Sequence, residues 1–252
     1  AVIYNIVMPA DLSTMTIESV SYPENLYLYG DATSGGWEVQ SATAMKNLGN
    51  GIYWYVGELK AGSPGALQFY AENPSVSGVD RRAIGLENKV DITSSGVSET
   101  GFNYYETGRP GNCYYQVQET GNYIVKVDVR NNIVNVYNNL YFVGESTGWQ
   151  FVQMEKVDNG VYTYKGHFDS GKAFCFTMKQ QDWDNKIATG QDVEFGLAEF
   201  TDNTLMFGSQ CAMKNGPAGY YVVSADLNNM TLTTRTYNPD PIDHLYVACN
   251  GA

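Results

Sequence analysis

YIVKVDVRNNIVNVY, residues 123–137, is the stretch on which the fold turns. Ile124, Val125 and Val127 lead into a turn from Asp128 to Asn132, after which Ile133, Val134 and Val136 resume the apolar pattern. Apolar alternation on both sides of an Asn pair reads as a β-hairpin, because Asn tolerates the positive φ that tight turns require. The element recurs as MPADLSTMTIESV at 8–20 and YVVSADLNNMTLTTRTY at 221–237, with Asp11, Asp128 and Asp226 in one equivalent place.

After each hairpin region lies a second shared element. LYLYGDATSGGW (26–37), LYFVGESTGW (140–149) and LYVACNGA (245–252) each run an apolar strand into a turn of small residues. The three openings are 114 and 105 residues apart, and the three aspartates 117 and 98. A period of about 110 residues is domain-sized, well above that of solenoids or propellers, so each unit should fold around its own core. Between the shared elements, NGIYWYVGELKAG (50–62) matches NGVYTYKGHFDSG (159–171), and ALQFYAEN (66–73) matches AFCFTMKQ (173–180). All of these read as strands. The expectation is an all-β chain of tandem antiparallel β-sandwich domains, Ig-like or carbohydrate-binding-module-like in architecture. Residues 1–24 form the tail of a preceding module or a linker, 25–138 and 139–240 two whole modules, and 241–252 the truncated head of a third, which could close an open sheet edge.

Composition agrees. Val (23) outnumbers Leu (13), Tyr reaches 20, and 26 Gly with 8 Pro supply turns. Fifteen Lys+Arg against 27 Asp+Glu give a net charge of −12, which excludes a nucleic-acid binder, since phosphates demand basic clusters. Apolar runs are far too short to span a membrane as a helix. The opening residues AVIYNIVMPADL carry neither signal peptide nor lipidation sequence, as expected of a processed or excised piece of a longer exported protein. Cys113, Cys175, Cys211 and Cys249 lack CxxC spacing and only His167 and His244 accompany them, so neither metal nor any other cofactor is expected. Cys113 and Cys211 each lie 15 residues before a tail aspartate, hence at equivalent positions of different units, and all four cysteines are expected as buried thiols.

No catalytic constellation emerges. Asp182, Asp184, Asp192, Glu194 and Glu199 are dense in sequence, but the first unit has no matching carboxylates and no Ser–His–Asp arrangement is visible. DWDNK (182–186) lacks the glycine and distal Glu of a calcium loop. His167 takes the place of Glu58 in the first unit, which indicates a surface strand position. Trp54 aligns with Thr163 and is expected to be an exposed residue peculiar to the first unit.

Trp37 and Trp149 follow the glycine turn of their heads, a place where a large aromatic is more often core than surface. Trp183 shifts that balance, because Gln180, Gln181, Asp182, Asp184 and Asn185 around it suit no core. Sugar rings offer an apolar face and a rim of hydroxyls, so flat aromatics beside Lys, Arg or Asn make a glycan site. Trp149, Lys179, Trp183 and Asn185 supply both halves in the second unit; in the first, Trp37, Tyr70 and Asn73 share the frame, Glu72 stands at the Lys179 position, and Arg81 or Arg82 replaces the cation.

Tandem units opening LYxxGxxxxGW, continuing NGxYxxxGxxxxG and FxF, and closing YxVxxDxxxxxxxV resemble the SusE/SusF family, starch-binding surface lipoproteins of Bacteroidetes. The resemblance covers nearly the whole chain. It implies starch-binding β-sandwich modules whose sites join two aromatics to a Lys or Arg, placing Trp37 and Trp149 as first aromatics, Lys179 as the cation and Trp183 as the second aromatic. Trp183 lies closer to the cation than the family pattern has it, and the first unit lacks both Lys and second Trp. The resemblance further implies a monomeric, non-enzymatic protein anchored at the outer membrane facing outward, beside a SusC/SusD-like uptake complex driven by TonB. Two readings follow: capture of a polysaccharide, with several weak modules acting on one polymer, or a structural, partner-binding spacer in which Trp37 and Trp149 are core. Solvent exposure of Trp149 and Trp183 separates them.

Overall fold

A computed structural model describes residues 3–7, 10, 15–20, 22–38, 41–71, 83–86, 88–105, 114–183, 185–189, 193–195, 204–207 and 213–239. The chain divides into two compact units, Ala1–Asn138 and Asn139–Ala252. No helix among the described residues is long and apolar enough to cross a membrane.

The first unit begins with β1 (Ile3–Val7) and β2 (Thr16–Val20), an antiparallel pair running from Ile3 opposite Val20 to Val7 opposite Thr16. The head strand β3 (Tyr27–Tyr29) is followed by β4 (Thr43–Ala44), β5 (Lys46–Gly49), β6 (Ile52–Leu59) and β7 (Ala66–Tyr70). Five shorter strands come next: β8 (Ala83–Gly85), β9 (Val90–Ile92), β10 (Val97–Gly101), β11 (Asn103–Tyr105) and β12 (Tyr115–Val117). The tail hairpin is β13 (Gly121–Asp128) and β14 (Ile133–Tyr137). One sheet has the order β10-β14-β13-β6-β5; the other has β11-β8-β7-β12-β9, with β3 on β7 and β4 on β3. Period-2 alternation sends Tyr53, Val125, Val127, Val134 and Val136 of the first sheet against Leu28, Leu67, Phe69, Ile84 and Tyr115 of the second, and these form one buried cluster.

The second unit repeats the plan. Its head strand β15 (Tyr141–Gly144) leads through a 3₁₀ turn, Glu145–Thr147, to β16 (Val152–Gln153), β17 (Glu155–Asp158), β18 (Val161–Phe168) and β19 (Ala173–Thr177). Then come β20 (Ile187–Thr189), β21 (Val193–Phe195), β22 (Leu205–Phe207) and β23 (Met213–Asn215), and the tail hairpin β24 (Gly219–Asp226) and β25 (Thr231–Thr236). A β17-β18-β24-β25 sheet faces a sheet ordered β16-β15-β19-β20-β22, to which β23 adds on β19 and β21 on β23. Phe142 is central to the core between them: it stacks on Tyr164 at 4.0 Å and on Phe174 at 5.0 Å, and meets Phe168 edge-on at 5.6 Å. Burying such a ring contributes about 1.5–3 kcal/mol.

The tail aspartates have a structural role. Asp128 stands opposite Ile52 and Ile133, and Asp226 opposite Val161 and Thr231, so the hairpin meets the strand after Asn-Gly in the same register in both units. In each the carboxylate accepts the next turn's backbone amides, from Arg130 and Asn131 at 3.1 and 3.3 Å and from Asn228 and Asn229 at 2.9 and 3.1 Å. Such an Asx turn substitutes a side chain for the missing ladder partners. Positive φ falls on Asn132 in the first hairpin, within the Asn pair, and on Met230 in the second, just beyond it.

The antiparallel sandwich architecture holds, with one parallel pair in each unit, β9 with β12 and β21 with β23. One expectation about a side chain is corrected. Trp54 is not exposed; it is 2% accessible, on the face of β6 opposite the Tyr53 core. Trp37 and Trp149 are 43% and 49% accessible, against the spacer reading that would bury them. Cys175 is a buried free thiol, its pKa pushed up to about 11 by burial. Cys113, Cys211, Cys249, Asp11, His244 and the head at 245–252 lie outside the described residues.

Candidate functional site

Each head strand runs into a glycine, Gly30 just after β3 and Gly144 at the end of β15, because the next strand of its sheet passes too close for a side chain. A Cβ on Gly30 would stand 2.1 Å from the Ala66 carbonyl oxygen, and one on Gly144 would stand 2.5 Å from that of Ala173. An acidic residue follows at once. The Asp31 carboxylate accepts the Gly65 N–H at 3.1 Å and the Ala66 N–H; Glu145 accepts the Ala173 N–H at 3.0 Å and pairs with Lys172 Nζ at 3.3 Å. The Ala173 amide, then Lys172, hold the Glu145 carboxyl below its ordinary value. A threonine closes the loop: the hydroxyls of Thr33 and Thr147 donate to the carbonyls of Gly30 and Gly144, both at 2.9 Å. A left-handed glycine, Gly36 or Gly148, then delivers the tryptophan outside the sandwich.

In the second unit Trp149 itself is left-handed, with φ 63°, and its N–H donates to the Gly144 carbonyl at 2.8 Å. Its ring centroid is 6.2 Å from that of Trp183, the two planes inclined at 63°. Trp183 is 44% accessible and meets Phe151 at 5.3 Å. The three rings form a folded aromatic surface with two half-open indoles. Lys179 is exposed at the start of the turn that carries Trp183, where its carbonyl accepts the Asp182 N–H at 3.4 Å. Asn185 is half-buried, and its side-chain amide donates to both Asp182 oxygens at 3.1 Å. That NH₂ group braces the Trp183 turn.

The first unit is built otherwise. Trp37 meets Tyr29 edge-on at 5.2 Å, Tyr29 meets Tyr70 at 5.6 Å, and the Tyr29 hydroxyl donates to the Trp37 carbonyl at 2.7 Å. Tyr70 is 0% accessible, with its hydroxyl 3.1 Å from Gln68 Oε1, so it has no face for a ligand and serves as a prop, contrary to expectation. Glu72, Asn73, Arg81 and Arg82 lie outside the described residues, as do Asp184, Asp192 and Glu199. Asp182 is occupied by Asn185. His167 is exposed on β18, 4.9 Å from Tyr220 and 3.8 Å from Asp169. Among the described residues no group of three or more His, Cys, Asp or Glu side chains gathers as a metal site would need.

Two contributors escaped the reading of the sequence. Phe151 is betrayed only by being an apolar residue two places after the tryptophan; Glu145 is marked by the acidic residue that both heads carry directly after glycine.

No family model and no curated protein matches the sequence. Among solved structures, the chain is similar to SusF from Bacteroides thetaiotaomicron, with a TM-score of 0.35 and 17% identity over 90% of this chain. It spans about half, 53%, of that protein's length.

Proposed function

We propose that the chain is a non-catalytic polysaccharide-binding protein whose principal site is the Trp149, Trp183 and Phe151 surface, with Lys179, on the turn that carries Trp183, as its cation. The observation that carries this reading is the pair of tryptophans, each nearly half open to solvent and 6.2 Å apart. Exposed indoles of this kind contribute nothing to a core, and their faces match the apolar faces of pyranose rings. An ammonium group carried on the same turn is a donor for sugar hydroxyls. The sequence resemblance to SusE/SusF modules points to the same class and suggests a starch-like glycan. On this reading residues 25–138 and 139–240 are two modules between parts of neighbours, at 1–24 and 241–252. They belong to a lipid-anchored, outward-facing monomer that gathers polymer for a SusC/SusD-like uptake complex.

The test is affinity electrophoresis through gels containing amylopectin, pullulan, dextran, levan, xylan or pectin. Retardation by the α-1,4-linked glucans alone is expected. Retardation only by another polymer keeps the binding class and changes the ligand, while none on any gel overturns the reading. In the positive case, Trp149→Ala and Trp183→Ala each weaken retention by about tenfold, the loss expected of roughly 1.4 kcal/mol of ring contact. Full retention by the double variant would exclude this surface as the site.

A further inference from the structure

We propose that Glu145 is the positioning residue of the aromatic surface, tethering the loop that ends in Trp149 to the first residue of β19, and that Asp31 does the same beneath Trp37. The inference rests on the reading of Trp149 and Trp183 as the binding surface, but its geometry stands apart from any ligand.

Glu145 opens the 3₁₀ turn, and one of its oxygens accepts the Ala173 N–H while the other meets Lys172 Nζ. Lys172 and Lys214 are the cations whose charge acts on this carboxylate. Everything distal to it in the loop is hung on that turn. Gly148 N–H donates to the Glu145 carbonyl at 3.0 Å, the Thr147 hydroxyl and the Trp149 N–H converge on the Gly144 carbonyl, and the chain arrives at Trp149 left-handed. A non-glycine residue is disfavoured in that conformation and persists there only where its surroundings over-determine it. The Glu145 contact is the side-chain bond that joins this loop to the neighbouring strand at its outset. Removing it releases Trp149 from its φ and separates it from Trp183.

The first unit supports the assignment independently. Its loop is two residues longer and its tryptophan differently supported, yet Asp31 accepts the amide of Ala66, which opens β7 as Ala173 opens β19. The carboxylate has stayed on the same strand amide while the loop's length changed, which ties it to the delivery of the tryptophan rather than to one loop shape.

Two indoles 6.2 Å apart and steeply inclined give a far-ultraviolet exciton couplet, a reading that needs no glycan. Trp183→Phe identifies that couplet by abolishing it. Glu145→Ala is expected to collapse the couplet with little change in melting temperature, since the side chain is a surface group, and to weaken glycan retention by about tenfold. Glu145→Gln keeps an acceptor for the Ala173 N–H and is expected to restore both. An intact couplet in Glu145→Ala, or a collapse that Gln fails to rescue, overturns the proposal. Should the couplet respond as stated while the unsubstituted chain is retarded by no polysaccharide, the positioning role stands and the glycan reading falls.

Discussion

The two units place a tryptophan at the same point of the same loop and then treat it in opposite ways. In the first, Trp37 is supported from below: Tyr29 lies under it and holds its carbonyl, and Tyr70 lies beside Tyr29, fully buried. In the second, Val143 takes the place of Tyr29 and Thr177 that of Tyr70, so the aromatic mass moves from beneath the tryptophan to its flank, where Trp183 and Phe151 stand. One exposed indole on a buried pedestal offers a single face. Two exposed indoles inclined at 63° offer a folded surface with two faces. The repeat thus conserves the loop that delivers a tryptophan and varies what the tryptophan joins.

The largest expected effect tests whether the loops share a foundation. Gly30→Ala collides with the Ala66 carbonyl and also asks alanine to adopt φ 128°, whereas Gly144 has φ 179°, ordinary extended backbone, and only the collision remains. Gly30→Ala should cost about 3 kcal/mol or more and Gly144→Ala about 2 kcal/mol, by calorimetric or denaturant unfolding. Equal costs would mean that backbone conformation adds nothing at Gly30.

A smaller difference separates the tail hairpins. Asp128 binds the Arg130 guanidinium through two nitrogens, at 3.2 and 3.0 Å, besides the turn amides; Asp226 has Asn228 where the first unit has Arg130. Asp128→Ala should cost about 2 kcal/mol and Asp226→Ala about 1 kcal/mol. Burial pushes the Asp128 carboxyl up, but hydrogen bonds from Arg130 and Asn131 outweigh it and hold the group below its ordinary 3.8. Its folded pKa is therefore depressed, so its stabilisation is complete above the unfolded value and is lost as pH falls through the folded one. Melting temperature against pH should accordingly drop less steeply below about pH 4 in Asp128→Asn than in the unsubstituted chain. Identical slopes would remove this carboxylate from the acid response.

The fold was legible because its signals are local and occur twice. Apolar alternation with Asn-Asn and Asn-Gly punctuation marks the hairpins, and comparing the units aligns Asp128 with Asp226; their register, Asp128 opposite Ile52 and Asp226 opposite Val161, is a finding of the structure. Burial of individual aromatics was not legible, since it depends on what covers a face. Trp54 aligns with Thr163 and so looked like surface decoration, yet it is buried; Tyr70 shared a frame with polar residues and lies at 0%. Trp183 was found by the opposite logic, as polar neighbours on both sides leave an indole no core to enter. Asn185 shows what counting donors leaves out: a polar side chain near an aromatic also braces its turn, as the Asp182 contact does here.

The finest test concerns the backbone beneath the two tryptophans. Trp149 has φ 63°, whereas Trp37 is absent from the residues with positive φ. Truncating either to Ala or to Gly removes the same ring, so the Ala-to-Gly difference isolates the main chain. At an ordinary φ glycine is the worse residue by roughly 0.5–1 kcal/mol, because it loses more conformational freedom on folding. At a left-handed position the order reverses, since alanine carries a penalty of about 1–2 kcal/mol that glycine escapes. Trp149→Gly should therefore be more stable than Trp149→Ala, and Trp37→Gly less stable than Trp37→Ala, with unfolding free energies as the measurement. The reversal would show that the second unit holds its tryptophan against a local preference, which nothing in the packing of a half-open side chain requires. Met230, left-handed and buried, shows that this conformation also occurs inside the fold, so the reversal would locate strain in the loop that carries Trp149, and the same sign at both positions would show that the main chain does not distinguish the two tryptophans.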